Sequence, residues 1–390
     1  MHLVFVTSLV PAGPPESGYE IANQAIIDGL CRAGARVTVL GFKMPGRTVS
    51  DPQNTVCLGE IDVRNDTASA TQKFAWLAAT MRGGITFSSA KLRMVGERDV
   101  ETALAGIGDV DGYVLNSVQL AGAFERQFRG RPYVFVAHNV EYLSARQNAE
   151  QATNPFEKLL FYREARLLKA LERRLCENAR FVLTLADEDA APLGVTGRSL
   201  ALPLVTPQAP GGGAMRVTAF DTGMIGTWTW APNRVGLEWF LQQVVPLLPP
   251  LMTVGIAGKV PRGFPARDPR VQFLGRVEDA KDFLRQCRVI SLTSRSGTGV
   301  QLKSLETFEM GLPAVATASS LRGIADIPDN VLKADTAEEF ASALQALVDR
   351  QRTGELPDLD GLRYREDRIA AMDAVIGEAL NRLHADSGNR

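Results

Sequence analysis

The sequence predicts an α/β protein built from two doubly wound parallel-sheet domains of the Rossmann-like type. Three observations support this. The chain has 390 residues, β-branched runs alternate with helical stretches along its whole length, and one Pro/Gly-rich segment divides that alternation in two. A length of 390 residues suits two or three domains of ordinary size. The dividing segment follows Leu202 and contains three prolines and then three glycines, which is typical of a linker.

The first half is predicted to contain five strands with helices between them. The strands lie near 2–7, 36–41, 112–116, 132–137 and 180–185. A helix is predicted at 19–33, because its apolar residues recur at helical spacing and Gly34 stands where a C-cap belongs.

The alternation restarts beyond the linker. Strands are predicted near 217–225, 252–257, 271–274, 288–293 and 313–317, and helices near 233–248, 279–286, 302–310 and 336–349. A last helix from Arg365 to His384 carries one apolar stripe. The predicted parts are therefore a first domain at 1–205, a linker at 206–214, a second domain at 215–364 and a C-terminal helix at 365–390.

Composition narrows the function. The 43 basic and 44 acidic residues leave a net charge of -1, which disfavours a nucleic-acid partner. No apolar run reaches about 18 residues, so no transmembrane helix is predicted. The apolar N-terminus lacks a basic region and is predicted to be a strand rather than a signal peptide. The four cysteines have no metal or disulfide spacing, which favours reduced thiols in the cytoplasm.

The stretch from Ser294 to Pro313 is the most informative one. A strand opens into a small, Gly-rich loop that leads into a helix, and backbone N–H groups at such a point can bind a phosphate or diphosphate. Lys303 lies near the first helical turn and adds a positive charge. Glu306, one turn later, could accept two hydrogen bonds from a vicinal diol such as a ribose. The alternative is an ordinary tight turn with a solvated lysine and glutamate.

In the first half, His138 follows a predicted strand directly, as does Asn116-Ser117 after the strand before it. Ligands bind at the carboxyl ends of strands in open parallel sheets, which favours a functional His138 in a cleft between the two domains. A hydrogen-bonded structural histidine is the alternative. Glu141 has comparable alternatives as a helix cap or a salt-bridge partner, and Asn116-Ser117 ranks below His138.

The run Gly299-x3-Lys303-x2-Glu306, followed by 310–317, resembles the donor-nucleotide segment of glycosyltransferase family 4. This is a large family of retaining glycosyltransferases with the GT-B fold, in which two Rossmann-like domains face a central cleft. Other similar segments occur in the family's order. They are Ser17-Gly18, His138–Glu141, 223–226, 230–233, 239–240, 245–246 and 272–279.

The resemblance implies transfer of a sugar from a nucleotide diphosphate-sugar to an acceptor hydroxyl, with retention at the anomeric carbon and usually no metal. By position, Glu306 would bind the ribose, Lys303 would hold the diphosphate and His138 would face the donor sugar; these are the candidate catalytic residues. Candidate donor-binding residues are Gly18, Gly226, Asn233, Arg276, Thr298, Gly299, Val300 and Gln301. No metal and no cofactor is expected, since the nucleotide diphosphate-sugar is a co-substrate. The leaving phosphate would take the acceptor proton, and the C-terminal helix would pack back on the first domain.

The chain departs from the family's pattern at three positions. Thr298 stands where the family often has a glutamate, and Thr227 and Asn233 stand where it often has Arg and Lys. A branch with an Asn in that loop is the closer match, so Lys303 would replace the missing cation. Candidate helpers are Arg234, Arg276 and Arg295.

The favoured function is a retaining, metal-independent hexosyltransferase that uses a UDP- or GDP-sugar and a glycan or lipid-linked acceptor in polysaccharide or glycolipid biosynthesis. Two alternatives stay open. A non-catalytic GT-B subunit that binds nucleotide or glycan is favoured by the three departures, while Lys303 and Glu306 count against it. A nucleotide-sugar epimerase or hydrolase would need carboxylates near the sugar, and Thr298 counts against that.

Two segments bear on the acceptor. Residues 73–98 interleave basic and apolar side chains with no acid before Glu97, and residues 157–174 hold six basic and three acidic side chains among apolar ones. Such surfaces can rest on an anionic bilayer, where lipid-linked acceptors are held. An ordinary surface helix is the alternative, and membrane contact is favoured only for the first segment. The expected location is the cytoplasm or the inner face of a membrane.

Overall fold

Two parallel sheets organise the chain, as the sequence predicts. The computed structural model describes residues 1–15, 17–62, 69–206, 217–260, 268–295 and 297–385, so the predicted linker lies outside the described residues except for Thr206. The chain divides into a first unit, Met1–Pro207 with Ile369–Arg390, and a second unit, Gln208–Arg368. The predicted α/β fold class is confirmed, since each unit holds one parallel sheet with helices between its strands.

The sheet of the first unit has seven strands. They are β1 (His2–Leu9), β2 (Arg36–Lys43), β3 (Thr55–Glu60), β4 (Gly112–Asn116), β5 (Tyr133–Ala137), β6 (Phe181–Thr184) and β7 (Ser199–Ala201). Their order in the sheet is β3-β2-β1-β4-β5-β6-β7. The central strands β1, β4 and β5 are buried almost throughout, which is why their sequences are continuous apolar runs.

The helices of the first unit connect these strands. They are α1 (Gly18–Arg32), α2 (Ala70–Gly83), α3 (Phe87–Leu92), α4 (Glu97–Ile107), α5 (Val118–Ala123), α6 (Glu125–Phe128), α7 (Glu141–Gln151), α8 (Pro155–Asn178) and α9 (Ala190–Leu193). Helix α1 begins where the Ser17 side chain accepts a hydrogen bond from the Glu20 amide. The chain leaves the helix after Arg32 through Gly34, whose φ of +83° lets its amide donate to the Cys31 carbonyl.

The sheet of the second unit has six strands. They are β8 (Phe220–Ile225), β9 (Val254–Ala257), β10 (Val271–Gly275), β11 (Cys287–Leu292), β12 (Ala314–Ala316) and β13 (Val331–Lys333). Their order is β10-β9-β8-β11-β12-β13, with β8 and β11 at the centre. The topological switch point of this sheet, where the strand order reverses, therefore lies between β8 and β11. Ligands of open parallel sheets bind at the carboxyl ends of the strands at this point.

The remaining helices are α10 (Ala231–Trp239), α11 (Ala280–Arg285), α12 (Leu302–Glu309), α13 (Ala337–Arg352) and α14 (Gly361–Ala385). The predicted single helix at 233–248 is instead α10 followed by a π-helical turn, Phe240–Val244, and a 3-10 turn, Val245–Leu247. Pro246 lies in that last turn, where it can neither donate to a preceding carbonyl nor continue an α-helix. No helix among the described residues is long and apolar enough to cross a bilayer.

Helix α14 is divided between the units at Arg368 and Ile369. Its later part packs closely on the first unit. A Cβ atom added to Gly29 would lie 2.4 Å from Ile376 Cδ1, and one added to Gly112 would lie 2.8 Å from Leu383 Cδ2. The Arg32 and Asp373 side chains form a salt bridge of 2.7 Å beside this contact.

Three strands of the structure were not predicted: β3, β7 and β13. All three lie at an edge of a sheet, and β7 and β13 have only three residues each. An edge strand is covered on fewer sides than a central one, so its sequence needs no apolar run. β3 shows this, since its six residues are half-buried or exposed.

Candidate active site

The first unit gathers polar side chains at the carboxyl ends of three neighbouring strands. Thr7 lies near the end of β1, Asn116 ends β4, and His138 follows β5. All three side chains are buried, with His138 8% exposed. His138 Nε2 lies 2.7 Å from Asn116 Oδ1. The structure therefore places the sequence-predicted His138 and Asn116 in direct contact.

Helix α1 adds two residues to this cluster. Asn116 Nδ2 donates to Asn23 Oδ1 at 2.6 Å, and Asn23 Nδ2 donates to Thr7 Oγ1 at 2.9 Å. The Tyr19 hydroxyl lies 2.8 Å from Thr7 Oγ1, and its ring packs on His138 with 5.1 Å between ring centroids. Buried polar groups are stable only when they are paired, which this network achieves for both asparagines.

Burial keeps His138 neutral. It lowers the pKa of His138 to about 4, so the imidazole carries no charge at neutral pH. A neutral imidazole can both donate and accept one hydrogen bond, which suits contact with a sugar hydroxyl.

The segment after His138 is held by a carboxylate from α8. Glu172 is 1% exposed and accepts hydrogen bonds from the amides of Glu141 and Tyr142 at 2.7 and 3.1 Å. These amides begin α7, so Glu172 caps that helix from outside. Burial raises the pKa of Glu172 to about 8, with the Glu141 and Asp189 carboxylates adding to the shift. Burial also raises the pKa of Glu141 itself.

Gly18 is the first residue of α1 and is exposed. Close behind it, Arg47 forms a salt bridge of 2.6 Å with Glu20. The loop before α1 is tied to the same arginine, which donates to the Pro14 carbonyl. The predicted Gly-rich first loop therefore stands at a helix N-terminus, where its backbone amide is accessible.

In the second unit, Lys303 lies on the first turn of α12. It is half-buried, and its Nζ donates to Asn233 Oδ1 at 3.3 Å. Nζ also lies 5.9 Å from the centroid of the buried Trp228 ring. Among the described residues no other acceptor and no carboxylate pairs with this ammonium. Burial lowers the pKa of Lys303 to about 8.

Asn233 is held so that its oxygen faces the lysine. Asn233 Nδ2 donates to the Thr227 carbonyl at 3.2 Å, and that carbonyl can only accept. The amide oxygen is therefore left for Lys303, and one asparagine links the β8–α10 loop to α12. Asn233 stands where the resembled family often has a lysine, and here it orients the ammonium of Lys303.

Glu306 lies one turn beyond Lys303 and is half-buried. No hydrogen bond or ion pair of its side chain is found within the described part of the chain. Burial raises the pKa of Glu306, opposed by the Lys281 charge and assisted by that of Asp279. A half-buried carboxylate without a partner is costly, and a ligand with two hydroxyl donors would satisfy it.

Residues directly after β12 hold the loop between β11 and α12 in place. Ser294 receives a hydrogen bond from the Thr317 hydroxyl, and Ser304 Oγ donates to the Ser320 carbonyl at 2.7 Å. Gln301 precedes α12 and accepts from Ser294 Oγ at 3.2 Å. The predicted donor-binding residues Thr298, Gly299 and Val300 lie in this loop; Thr298 is buried and the other two are half-buried.

Glycines bring the ends of β8, β9 and β10 together. A Cβ atom added to Gly258 would lie 1.9 Å from the Gly226 carbonyl oxygen, and the Gly258 amide donates to the Gly275 carbonyl at 2.6 Å. The backbone can approach this closely only where side chains are absent. Gly226, directly after β8, therefore leaves the end of that strand without a side chain. The exposed Arg276 directly follows β10.

Two of the candidate helper cations have other partners. Arg295 donates to the Asp335 carbonyl at 2.6 Å and stacks over Trp239, with 4.6 Å from its guanidinium carbon to the ring centroid. Arg234 pairs with Glu238 at 3.7 Å on the surface of α10. Arg276 is the candidate helper whose side chain has no such partner among the described residues. Within those residues, no group of three or more metal-binding side chains occurs either.

Sequence reasoning missed Thr7, Tyr19, Asn23 and Trp228. Thr7, Tyr19 and Asn23 lie on predicted elements and Trp228 lies in the loop after β8, but only tertiary packing brings them to the site. Asn23 had one available signal, since an asparagine inside a predicted helix is unfavourable unless it has a partner. The His138 cluster lies in the first unit and the Lys303 site lies in the second. The cleft that the sequence predicts between the two units stays a prediction.

A family of known proteins matches the second unit of the chain. Residues 219–350, about a third of the chain and all in the second unit, match the family described as glycosyl transferases group 1. Sucrose-phosphate synthase from Thermosynechococcus elongatus has a similar structure, with a TM-score of 0.67 and 15% identity over 98% of this chain and 99% of that one. The chain has the GT-B fold. The match confirms that 219–350 resembles the glycosyl transferases group 1, whereas membership of glycosyltransferase family 4 stays a prediction.

Other GT-B structures are similar over the same extent. TarM has a TM-score of 0.62 at 10% identity, covering 98% of this chain and 99% of its own. HepE from Anabaena, in complex with UDP and glucose, has a TM-score of 0.60 at 13% identity with the same coverage. No curated protein matches the sequence. At these identities the structures establish the GT-B fold of the chain.

Proposed function

We propose that this protein is a retaining glycosyltransferase of family 4, a hexosyltransferase that works without a metal. It transfers a sugar from a UDP- or GDP-sugar to a hydroxyl of a glycan or lipid-linked acceptor, in polysaccharide or glycolipid biosynthesis. The proposal rests on the match of 219–350 to glycosyl transferases group 1 and on the site in that unit. Similar structures bind comparable ligands: HepE holds UDP and glucose, and a starch synthase IV holds ADP and acarbose.

One observation carries the proposal: the ammonium of Lys303 is half-buried, oriented by Asn233 and without a counter-ion among the described residues. A buried charge without a partner is unfavourable, so the site favours an anion that the isolated protein does not supply. The ammonium lies on the first turn of α12, behind a Gly-rich loop, where the backbone amides also favour an anion. A nucleotide diphosphate fits this charge pattern.

Departure of the nucleotide diphosphate is the difficult step in such a transfer. Negative charge grows on the leaving phosphate as the bond to the sugar breaks. Lys303 and the α12 amides are fixed before the reaction, so they stabilise that charge without reorganisation. Glu306 would hold the ribose through two hydrogen bonds and so fix the leaving group over the loop. The departing phosphate oxygen takes the acceptor proton, which needs no separate protein base.

His138 and Gly18 would act on the sugar side. The neutral imidazole of His138 would contact a donor-sugar hydroxyl, and Gly18 would leave the first helix end open to it. Gly226 and Arg276, at the ends of β8 and β10, would border the nucleotide base and phosphate. Thr298, Gly299, Val300 and Gln301 would line the loop under the diphosphate.

A thermal-shift panel tests the proposal. UDP, GDP, ADP and their sugars are added to the full-length protein, and each hit is followed by a hydrolysis and transfer assay with release of the nucleotide as readout. We expect one nucleotide to raise the melting temperature and Glu306→Ala to weaken that shift. Glu355→Ala is the matched control, since Glu355 is exposed in the same unit.

The outcomes separate the candidate functions. Lys303→Ala should retain the fold and lower turnover by a factor of about 10² to 10³, the usual loss when one charge-stabilising group is removed. Stabilisation by a nucleotide without any turnover would support the non-catalytic subunit instead. If no nucleotide stabilises the protein, both the transferase and the nucleotide-binding subunit are wrong.

We further propose that the first unit contacts an anionic membrane. Five large apolar side chains are exposed on two of its helices: Phe74 and Met81 on α2, and Phe156, Leu159 and Tyr162 on α8. Helices α2 and α8 are linked, since Arg163 donates to the Thr80 carbonyl at 2.6 Å. Glu164 of α8 also accepts from the Phe87 amide, at the start of α3, at 2.7 Å. Basic side chains such as Arg82, Lys158 and Arg166 are exposed on the same helices.

Part of the predicted basic surface faces inward instead. Lys91 is 8% exposed, and its Nζ lies 5.1 Å from the ring centroids of both Trp76 and Phe87. These three residues therefore belong to the packing between α2 and α3. The membrane proposal rests on the exposed residues of α2 and α8 alone.

Sedimentation with lipid vesicles tests this contact. We expect the protein to bind vesicles rich in phosphatidylglycerol and to be released by high salt, because both charge and apolar area contribute. The Phe74→Ser/Phe156→Ser double variant should bind less. Leu251→Ser serves as a control, because Leu251 is also a strongly exposed apolar residue but lies in the second unit. Equal binding to neutral vesicles, or no effect of the double variant, would contradict the proposal.

A further inference from the structure

The network around His138 starts from a backbone carbonyl, which defines the direction of every hydrogen bond in it. Asn23 Nδ2 lies 3.2 Å from the Leu9 carbonyl oxygen, and this oxygen can only accept. The amide group of Asn23 must therefore point its NH2 at Leu9. The opposite orientation would place two oxygens in contact inside a buried site.

The direction passes from Asn23 to Asn116. With its NH2 group facing Leu9 and Thr7, Asn23 presents its oxygen to Asn116. Asn116 must therefore donate through its own NH2 group, and the distance from Asn116 Nδ2 to Asn23 Oδ1 is 2.6 Å. Both asparagines are 1% exposed, so water cannot replace either partner.

The orientation of Asn116 then determines which nitrogen of the His138 ring carries the proton. Asn116 has only its oxygen left for His138, and this oxygen lies 2.7 Å from Nε2. An amide oxygen accepts only, so Nε2 must carry the proton. In a neutral ring, Nδ1 is then unprotonated and offers a lone pair. Among the described residues, Asn116 is the hydrogen-bond partner that the His138 ring has.

Backbone strain marks the same place. Ser117 follows Asn116 and has φ of +72° and ψ of 169°, and it is the non-glycine residue with positive φ in the described part of the chain. This region of backbone space is occupied almost only by glycine, and such strain persists where the surroundings over-determine a conformation. The Ser117 amide donates to the Val136 carbonyl at 2.9 Å, which ties the strained residue to β5 beside His138.

We propose that Asn23 and Asn116 are positioning residues that hold His138 in the Nε2–H tautomer, with Nδ1 as a hydrogen-bond acceptor for a hydroxyl of the donor sugar. The part concerning the sugar rests on the proposed function; the tautomer does not. The selected ligand group is one that donates a hydrogen bond. A donor sugar with a free hydroxyl at this point satisfies Nδ1, whereas its deoxy or O-methyl counterpart cannot.

Nitrogen NMR of the full-length protein tests the tautomer without any substrate. The chain has three histidines, His2, His138 and His384, so ¹⁵N-labelled imidazoles give a simple spectrum, and His138→Gln assigns the buried one. In the unmodified protein we expect the pattern of a neutral ring protonated at Nε2. A ring protonated at Nδ1, or a mixture of both forms, would overturn the proposal.

Variants test the relay itself. Asn23→Leu removes the group that orients Asn116, so the single Nε2–H pattern should become a mixture. Asn330→Leu is the control, since Asn330 is also a buried asparagine, bonded to the Gly311 carbonyl in the second unit, and should leave the His138 signals unchanged. An unchanged Asn23→Leu spectrum in a folded protein would contradict the relay.

Binding measurements separate this inference from the proposed function. If the nucleotide-sugar binds, removal of the hydroxyl that faces Nδ1 should weaken binding about 10-fold in the unmodified protein and much less in His138→Phe. If no nucleotide-sugar binds but the Nε2–H pattern is present, the proposed function fails while the tautomer assignment stands. If binding is normal and the ring is protonated at Nδ1, the relay fails alone.

Discussion

At the scale of single residues, Lys303 shows a conflict between stability and binding. Its ammonium is half-buried next to one neutral acceptor, so its charge is poorly compensated in the folded protein without ligand. Desolvation of a charge disfavours folding, whereas the same charge is what attracts an anion.

Lys303→Met should be more stable than the unmodified protein at pH 7, by on the order of 1 kcal/mol. The folded pKa of Lys303 is about 8 and its ordinary value is 10.5, so the unfolded chain binds more protons between these values. The stability of the unmodified protein relative to the variant should therefore rise as pH increases through this window. Urea unfolding at pH 7 and pH 10 measures the difference, with the exposed Lys333→Met as control.

The opposite result would be informative. If Lys303→Met destabilises the protein at pH 7, the ammonium has a compensating partner in solution and the argument for an anion site is wrong. If the variant is more stable and still binds nucleotide normally, the charge does not contribute to the site.

The strained backbone of Ser117 also lowers the stability of the first unit. Its backbone conformation costs on the order of 1–3 kcal/mol for a residue with a Cβ atom. Ser117→Gly should raise the free energy of unfolding by about 1 kcal/mol, because relief of strain exceeds the added entropy of glycine in the unfolded chain. Ser117→Ala keeps the Cβ atom and should bring no gain. Thermal unfolding of the unmodified protein, Ser117→Gly and Ser117→Ala measures these differences. An equal gain in stability for both variants would contradict the strain at Ser117.

At the scale of elements, the strand ends of the second unit determine how close a nucleotide can come. Gly258, after β9, has φ of +108° and lies against the Gly226 carbonyl. Gly354 has φ of +76° but has open space around its Cα. The two positions share the backbone requirement and differ in the close approach, so they form a matched pair.

Gly258→Ala should cost more stability than Gly354→Ala. Both substitutions place a Cβ atom at positive φ, at about 1–2 kcal/mol each. Only Gly258→Ala also forces the ends of β8 and β9 apart, which adds about 1–3 kcal/mol and should weaken nucleotide binding at Gly226. Urea unfolding and the thermal-shift assay measure the two effects. Similar losses for both variants would show that the strand ends can move apart freely.

The elements also show what a sequence can predict. Central strands such as β1 and β11 are covered on both faces, so their apolar runs identify them. Edge strands such as β3 lack that signal because one side faces solvent. The site followed the same logic. Lys303 and Glu306 stand in a motif along the chain, whereas Asn23 reaches His138 only through packing between α1 and the sheet.

At the scale of the whole molecule, α14 belongs to both units, with its later part in the core of the first. Leu383 is 1% exposed, and its side chain occupies the space that Gly112 on β4 leaves free. Loss of a buried leucine side chain usually costs about 2–5 kcal/mol. Because the contact lies within the first unit, the cost should fall on that unit.

Leu383→Ala should therefore destabilise the two sheets unequally. In hydrogen exchange followed by mass spectrometry, amides of β1, β4 and β5 should exchange faster, while those of β8, β9 and β11 should stay near their original rates. Leu251→Ala, an exposed leucine of the second unit, is the control and should change neither sheet. Uniform acceleration in both sheets would mean that the units unfold together. Nucleotide binding through Lys303 would then depend on the packing of α14, although no residue of its later part belongs to the proposed site.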